Sequence, residues 1–107
     1  MNTYELRTLL IERAKIREPY LEFLRAESMS TGIYVLAPGE EDQQTPHRED
    51  ELYYVVEGEA KITVADQVES VHPGTAIFVA ANVPHRFHSI MQELVVLVIF
   101  APPESNT

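Results

Sequence analysis

The spacing of apolar residues changes once along the chain, near residue 19. Before that point Leu6, Leu9, Leu10 and Ala14 recur at helical spacing. Asn2 is placed to cap this segment, and Glu5 sits where the acid of a capping box reaches back. Pro19 predicts its end, because the residue before a proline is pushed out of helical geometry. Residues 1–18 are therefore expected as a helix that covers a sheet face and carries no chemistry.

From Tyr20 onward the apolar runs are short, β-branched and aromatic. Tyr20–Leu24, Gly32–Ala37, Leu52–Glu57, Ala60–Ala65, Val68–Val71, Thr75–Val79, Arg86–Met91 and Leu94–Phe100 read as strands. Turn chemistry separates them: Pro38-Gly39, Gly58, Asp66-Gln67, and Pro73-Gly74, which fits a type II turn with glycine at positive φ. In the fourth run Ile62 and Val64 alternate with Lys61 and Thr63. The pattern predicts an all-β, antiparallel sandwich or barrel over residues 19–101, with a short N-terminal helix. The tail 102–107, PPESNT, is expected to fray.

Two runs, Leu52–Val56 and Leu94–Phe100, are apolar on both faces. A strand open to water on one side shows a polar face there. The helix or a second subunit must then cover the other side, and a homodimer is the expectation.

Composition narrows the partners. At 107 residues the chain fits one domain. Its 17 acidic and 8 basic side chains give a net charge of −9, which argues against nucleic acid or an anionic membrane surface. With no cysteine, disulfides, thiolate metal sites and cysteine nucleophiles are excluded. The first twenty residues lack a signal-peptide apolar stretch, and the longest apolar run, Leu94–Ala101, is too short to span a bilayer. A cytoplasmic protein is expected.

The candidate chemistry sits on His47, Glu51 and His85. Two imidazoles and a carboxylate suit Fe(II), Mn(II), Ni(II) or Zn(II) and leave coordination positions open. Residues four apart on one straight strand are roughly 13 Å apart, too far to share an ion. The chain must therefore fold back between His47 and Glu51, or be helical there, since Thr45-Pro46 also resembles a helix start. The β-branched run LYYVV favours a turn through Arg48–Asp50, with Glu51 opening a strand. Glu51 differs from Glu40, Glu41, Asp42, Glu49 and Asp50, which read as a solvated rim, because it opens an apolar strand. Tyr53 shares the face of Glu51 and is a candidate pocket residue, at least as readable as core, and Phe87 shares the face of His85 and would line the pocket apolarly. His88 points to the opposite face from His85, Arg86 points away, and His72 lies at a turn.

Gly39 followed by His47-x3-Glu51-x6-Gly58 resembles the first motif of the cupin superfamily, and Gly74 through Ser89 resembles the second, with His85 at its metal histidine. The resemblance implies a jelly-roll barrel with a divalent metal at its mouth, bound by His47, Glu51 and His85. It implies a menu of metal-dependent reactions on a small organic molecule: dioxygenases, isomerases, decarboxylases and cyclases. Oxygenase-type chemistry is the guess most compatible with the donor set, and a non-catalytic ligand-binding or sensing module is the alternative. The sequence departs from the motif at Thr45, where the first histidine usually stands, and at Ala80, Asn82 and Ser89. A neutral hydroxyl is a poor divalent ligand beside imidazole. Either three ligands suffice, with Gln43 and Thr45 lining the pocket, or Gln43, Gln44 or Glu49 fills the gap, or the barrel binds an organic ligand unaided.

Overall fold

The computed structural model describes residues 1–105. One helix, α1 (Leu6–Lys15), precedes six strands: β1 (Tyr20–Arg25), β2 (Ser30–Leu36), β3 (Asp50–Val64), β4 (Gln67–Val71), β5 (Ala76–Val79) and β6 (His85–Ala101). Every pairing is antiparallel, in the order β1-β2-β6-β3-β4, with β5 also bonded to β3. No described helix is long and apolar enough to cross a membrane.

Two pairs of expected strands are instead continuous, and the expected turn at Gly58 is an interruption within a long strand. Leu52–Glu57 and Ala60–Ala65 merge into β3, and Arg86–Met91 and Leu94–Phe100 merge into β6. Gly58 is a bulge residue: its φ is +96°, and the β3·β6 register slips on both sides of it. A bulge bends the ribbon and keeps the ladder running. A Cβ at Gly58 would lie 2.3 Å from the Glu93 carbonyl oxygen, so the two strands meet there only because the side chain is missing. The turns at Ala65-Asp66 and Pro73-Gly74 are present near their expected places, the second closed by Thr75 N–H donating to the His72 carbonyl at 3.0 Å.

The bend decides the architecture. Glu51 pairs with Phe100, and Val64 pairs with His85, at opposite ends of one ladder. The steps from Glu51 to Val64 would cover roughly 43 Å if the strand were straight. Yet the Glu51 and His85 side chains approach to 3.1 Å. The β3·β6 ribbon therefore doubles over, with β5, β2 and β1 on one half and β4 on the other. Tyr53, Val55, Ile62, Phe87, Leu94 and Val96 fill the space between the halves, each 1% exposed or less.

Outside the sheet, α1 lays Leu9, flanked by Leu6 and Leu10, against Ile33, Val35 and Val95. This packing also covers Val56 and Leu97, which accounts for part of the two-faced apolar pattern. Leu52, Tyr54 and Phe78 on the outer face of β3 and β5 remain exposed.

The start of α1 differs from expectation. Its cap is Glu5, with no side-chain cap bond, and the Glu5 carbonyl accepts the Leu9 N–H at 3.1 Å. Tyr4 packs against Phe23 with ring centroids 4.8 Å apart, and Asn2 lies outside the helix. The C-terminal tail is tied down through Ser105. Glu104 N–H donates to Ser30 Oγ, Ser105 N–H to Glu49 Oε2, and Arg25 Nη2 to the Glu104 carbonyl. The polar composition that suggested fraying serves as the anchor. Asn106 and Thr107 lie outside the described residues.

Candidate metal centre

The loop from Ala37 to Glu49 crosses one end of the folded ribbon and carries His47 to it. It is held by Asp42, buried to 7% exposure, whose carboxylate accepts from the Tyr34 hydroxyl, the Gln44 amide and the Phe87 backbone N–H. Asp42 and Glu49 thus leave the solvated rim in which the sequence placed them: strand donors meet the Asp42 carboxylate, and Glu49 Oε2 accepts from the tail at Ser105 while its Oε1 is buried without a partner. The chain bends at Arg48-Glu49 and enters β3 at Asp50, as the turn reading required. The His47 carbonyl accepts the Asn82 N–H at 2.6 Å, which ties this loop to the segment leading into His85.

His47, Glu51 and His85 each offer a donor atom, and these atoms all lie within 4.8 Å of one another. Glu51 Oε1 is 3.1 Å from His85 Nε2 and 4.0 Å from His47 Nε2. Glu51 and His85 are buried, and His47 is half-buried. Both Glu51 oxygens and His85 Nε2 are shielded from solvent without a hydrogen-bond partner. His85 Nδ1 lies 2.9 Å from the Val83 carbonyl, so Nδ1 carries the proton and the Nε2 lone pair faces the carboxylate. Burial pulls the His85 pKa down, but the Glu51 carboxylate and the Val83 carbonyl outweigh it, and the net shift is upward, toward the imidazolium that would donate to Glu51. With His85 neutral, the Nε2 lone pair and both Glu51 oxygens converge as acceptors. An orphaned buried carboxylate is costly, and a divalent cation resolves that cost. The donor set fits a metal.

Above the cluster lies a cavity of about 570 Å³. Tyr53 and Gln43 line it, as expected. Thr45 and Phe87 do not. Thr45 is exposed and lies outside the cavity lining, which Gln43 and Gln44 reach. Phe87 lies deeper, fully buried and edge-on to Tyr53 at 4.9 Å. His88 bonds Thr63 Oγ1 at 2.7 Å away from the cavity, and His72 is exposed at its turn.

Asp42 and Glu104 are residues of the site that sequence reasoning missed. Glu104 reaches back from the tail, its Oε2 3.4 Å from His47 Nδ1, and lines the cavity. Burial, then the nearby charges of Glu51 and Glu49, raise its pKa. No sequence signal marks it, since it lies beyond the last strand in a short polar tail.

Residues 32–100 match the family described as the cupin domain, well over half the chain. The chain belongs to this family. It is 47% identical over 105 residues to an uncharacterized protein of Streptomyces coelicolor, covering 98% of this chain and 100% of that one. Its fold is similar to the crystal structure of TT1209 from Thermus thermophilus, with TM-score 0.77, 26% identity, and coverage of 96% of this chain and 99% of that one. It is also similar to an RmlC-like cupin with a double-stranded β-helix fold from Methanocaldococcus jannaschii, with TM-score 0.71, 22% identity and 78% coverage of each chain.

Proposed function

We propose that His47, Glu51 and His85 hold a divalent metal that acts on a small organic molecule bound in the cavity above them. The observation that carries this reading is the convergence of two imidazoles and a buried carboxylate, with donor atoms within 4.8 Å of one another, beside a cavity of ligand size that His47 and Glu51 line. A bound divalent ion supplies Lewis-acid polarisation of a substrate oxygen, and iron would add oxygenase-type chemistry. The Val83 carbonyl fixes the His85 tautomer, and Glu104 approaches the outer nitrogen of His47 in the same way.

The walls limit what enters. Glu18, Glu40, Glu41, Glu51 and Glu104 line the cavity, and among the described residues no lysine or arginine does. Away from the ion the walls are therefore acidic and favour neutral or cationic groups, while an anionic group of the ligand would belong at the metal. Tyr20, Tyr34 and Phe100 offer apolar ring surface to it, and a cation gains from their faces. A second reading, a ligand-binding module without turnover, is favoured by one observation: among the described residues no serine, threonine or lysine nucleophile lines the walls.

The test begins with metal analysis of protein purified without added ions. The expected result is one divalent ion per chain, lost in Glu51→Gln and His85→Ala. Metal at a hundred times its Kd should stabilise the wild type by about 2.7 kcal/mol, and chelation should remove that increment. If His85→Ala retains full metal occupancy and unchanged ligand affinity, the site is wrong. Oxygen uptake by iron-loaded protein with candidate substrates then separates oxygenase turnover from binding alone.

A further inference from the structure

We propose that the side-chain carbonyl of Gln44 is a fourth protein donor to the metal, standing in for the ligand that Thr45 cannot supply. The inference rests on the metal reading above. Thr45 occupies the sequence position of the missing histidine, but it is exposed and outside the cavity lining. Its neighbour Gln44 is half-buried and lines the cavity beside His47 and Glu51.

The orientation of the Gln44 amide is fixed by chemistry. Its Nε2 lies 2.9 Å from Asp42 Oδ2, and a carboxylate only accepts, so the NH₂ group faces Asp42. The Tyr34 hydroxyl and the Phe87 N–H bind the same carboxylate and hold it in place. Gln44 Oε1 must then face the other way, where it lies 3.0 Å from His47 Nε2 and accepts from the Tyr53 hydroxyl at 3.1 Å.

His47 thereby stands between two acceptors, with Gln44 Oε1 near Nε2 and Glu104 Oε2 3.4 Å from Nδ1. Neutral imidazole has one proton. In the tautomer that places this proton on Nδ1 toward Glu104, the Nε2 lone pair faces the amide oxygen, the arrangement that a cation between them would bridge. His85 repeats the pattern, its Nε2 facing Glu51 Oε1. Donors about 2.1 Å from an octahedral ion lie about 3.0 Å apart when adjacent. The two separations, 3.0 Å for Gln44–His47 and 3.1 Å for Glu51–His85, match that value. An amide oxygen with two imidazoles and one carboxylate suits six-coordinate Mn²⁺ or Fe²⁺ and leaves two positions for water or ligand.

The experiment is Mn²⁺ titration by electron paramagnetic resonance on wild type, Gln44→Ala, Gln44→Glu and Thr45→Ala, with thermal melts in chelator to verify folding. Gln44→Ala should weaken Mn²⁺ binding about 10- to 100-fold, Gln44→Glu, which keeps an oxygen for the ion but loses the donation to Asp42, should bind more tightly than Gln44→Ala, and Thr45→Ala should leave binding unchanged. Anomalous scattering from a Mn²⁺-soaked crystal should place the ion about 2.2 Å from Gln44 Oε1. Wild-type affinity in a folded Gln44→Ala, or an ion beyond hydrogen-bond distance of Oε1, would overturn the inference while leaving the three-ligand site intact. Loss of binding in Gln44→Ala without rescue by Gln44→Glu, with the ion remote from Oε1, assigns Gln44 to loop packing and also overturns it. Absence of Mn²⁺ binding by the wild type removes the parent reading and this inference together.

Discussion

Gly58 and Gly74 share a φ of +96°, yet replacing each by alanine should have very different consequences. A non-glycine residue in that region costs about 1–3 kcal/mol from backbone strain alone. At Gly74 nothing lies within 4 Å of the added Cβ, so strain is the whole cost. At Gly58 the Cβ would meet the Glu93 carbonyl oxygen at 2.3 Å and Leu94 Cα at 2.7 Å, both backbone atoms inside a bulge. Restoring ordinary contact requires the two strands to part by about 1 Å, and overpacking of that kind adds about 1–3 kcal/mol. Gly58→Ala should therefore lose about 2–6 kcal/mol, with about 1–3 kcal/mol of it in excess of Gly74→Ala. At about 4 °C or more per kcal/mol, that excess should be plain in thermal melts and urea titrations run in chelator. The bulge lies between Glu51 and His85 on the folded ribbon, so Gly58→Ala should also weaken metal binding, whereas Gly74→Ala should not. Equal losses for the two variants would refute the view that close strand approach at Gly58 folds the ribbon.

Truncation after Ala101 removes the Arg25–Glu104, Glu104–Ser30 and Ser105–Glu49 bonds, each worth about 1 kcal/mol net, so urea titration should find a loss of about 2–3 kcal/mol. A truncated chain of wild-type stability would show that the tail contributes nothing to the fold. His88 offers a pH test: burial, then the charges of Arg86 and Lys61, hold its pKa below 6.5. Its folded value lies below its unfolded value, so the proton prefers the unfolded chain. The His88 contribution is complete above pH 6.5 and declines as pH falls toward the folded pKa. An NMR titration should place the His88 midpoint below 6.5, and His88→Gln should flatten the stability slope in that window; a midpoint above 6.5 contradicts the assignment.

What the sequence made legible follows from where periodicity exists. Glu51 was readable because a carboxylate at the head of an apolar alternating run has no bland explanation, and His85 because Phe87 on the same face told which way it points. Loop residues carry no such period. Asp42, Gln44 and Glu49 sit among exposed acids and amides of the same composition, and only the tertiary donors that meet them separate buried from solvated. Gly58 was misread for a related reason. Turn and bulge use the same residue for the same positive φ, and they differ only in what lies opposite: here Glu93 and Leu94 of β6, far along the chain.

The same distinction explains how a loop can serve a metal site without a regular element beneath it. Gln44 is aimed by Asp42, and Asp42 is held by Tyr34 on β2 and by the Phe87 backbone on β6. The donor's position is thus inherited from two strands through one carboxylate. That route buries the Asp42 charge, met by three donors, near the Glu51 carboxylate, and a cation at the centre would offset the repulsion between the two acids. The anionic loop and the acceptor-rich cluster are therefore one electrostatic unit. Removing Asp42 should disturb metal affinity through Gln44 even though Asp42 ligates nothing.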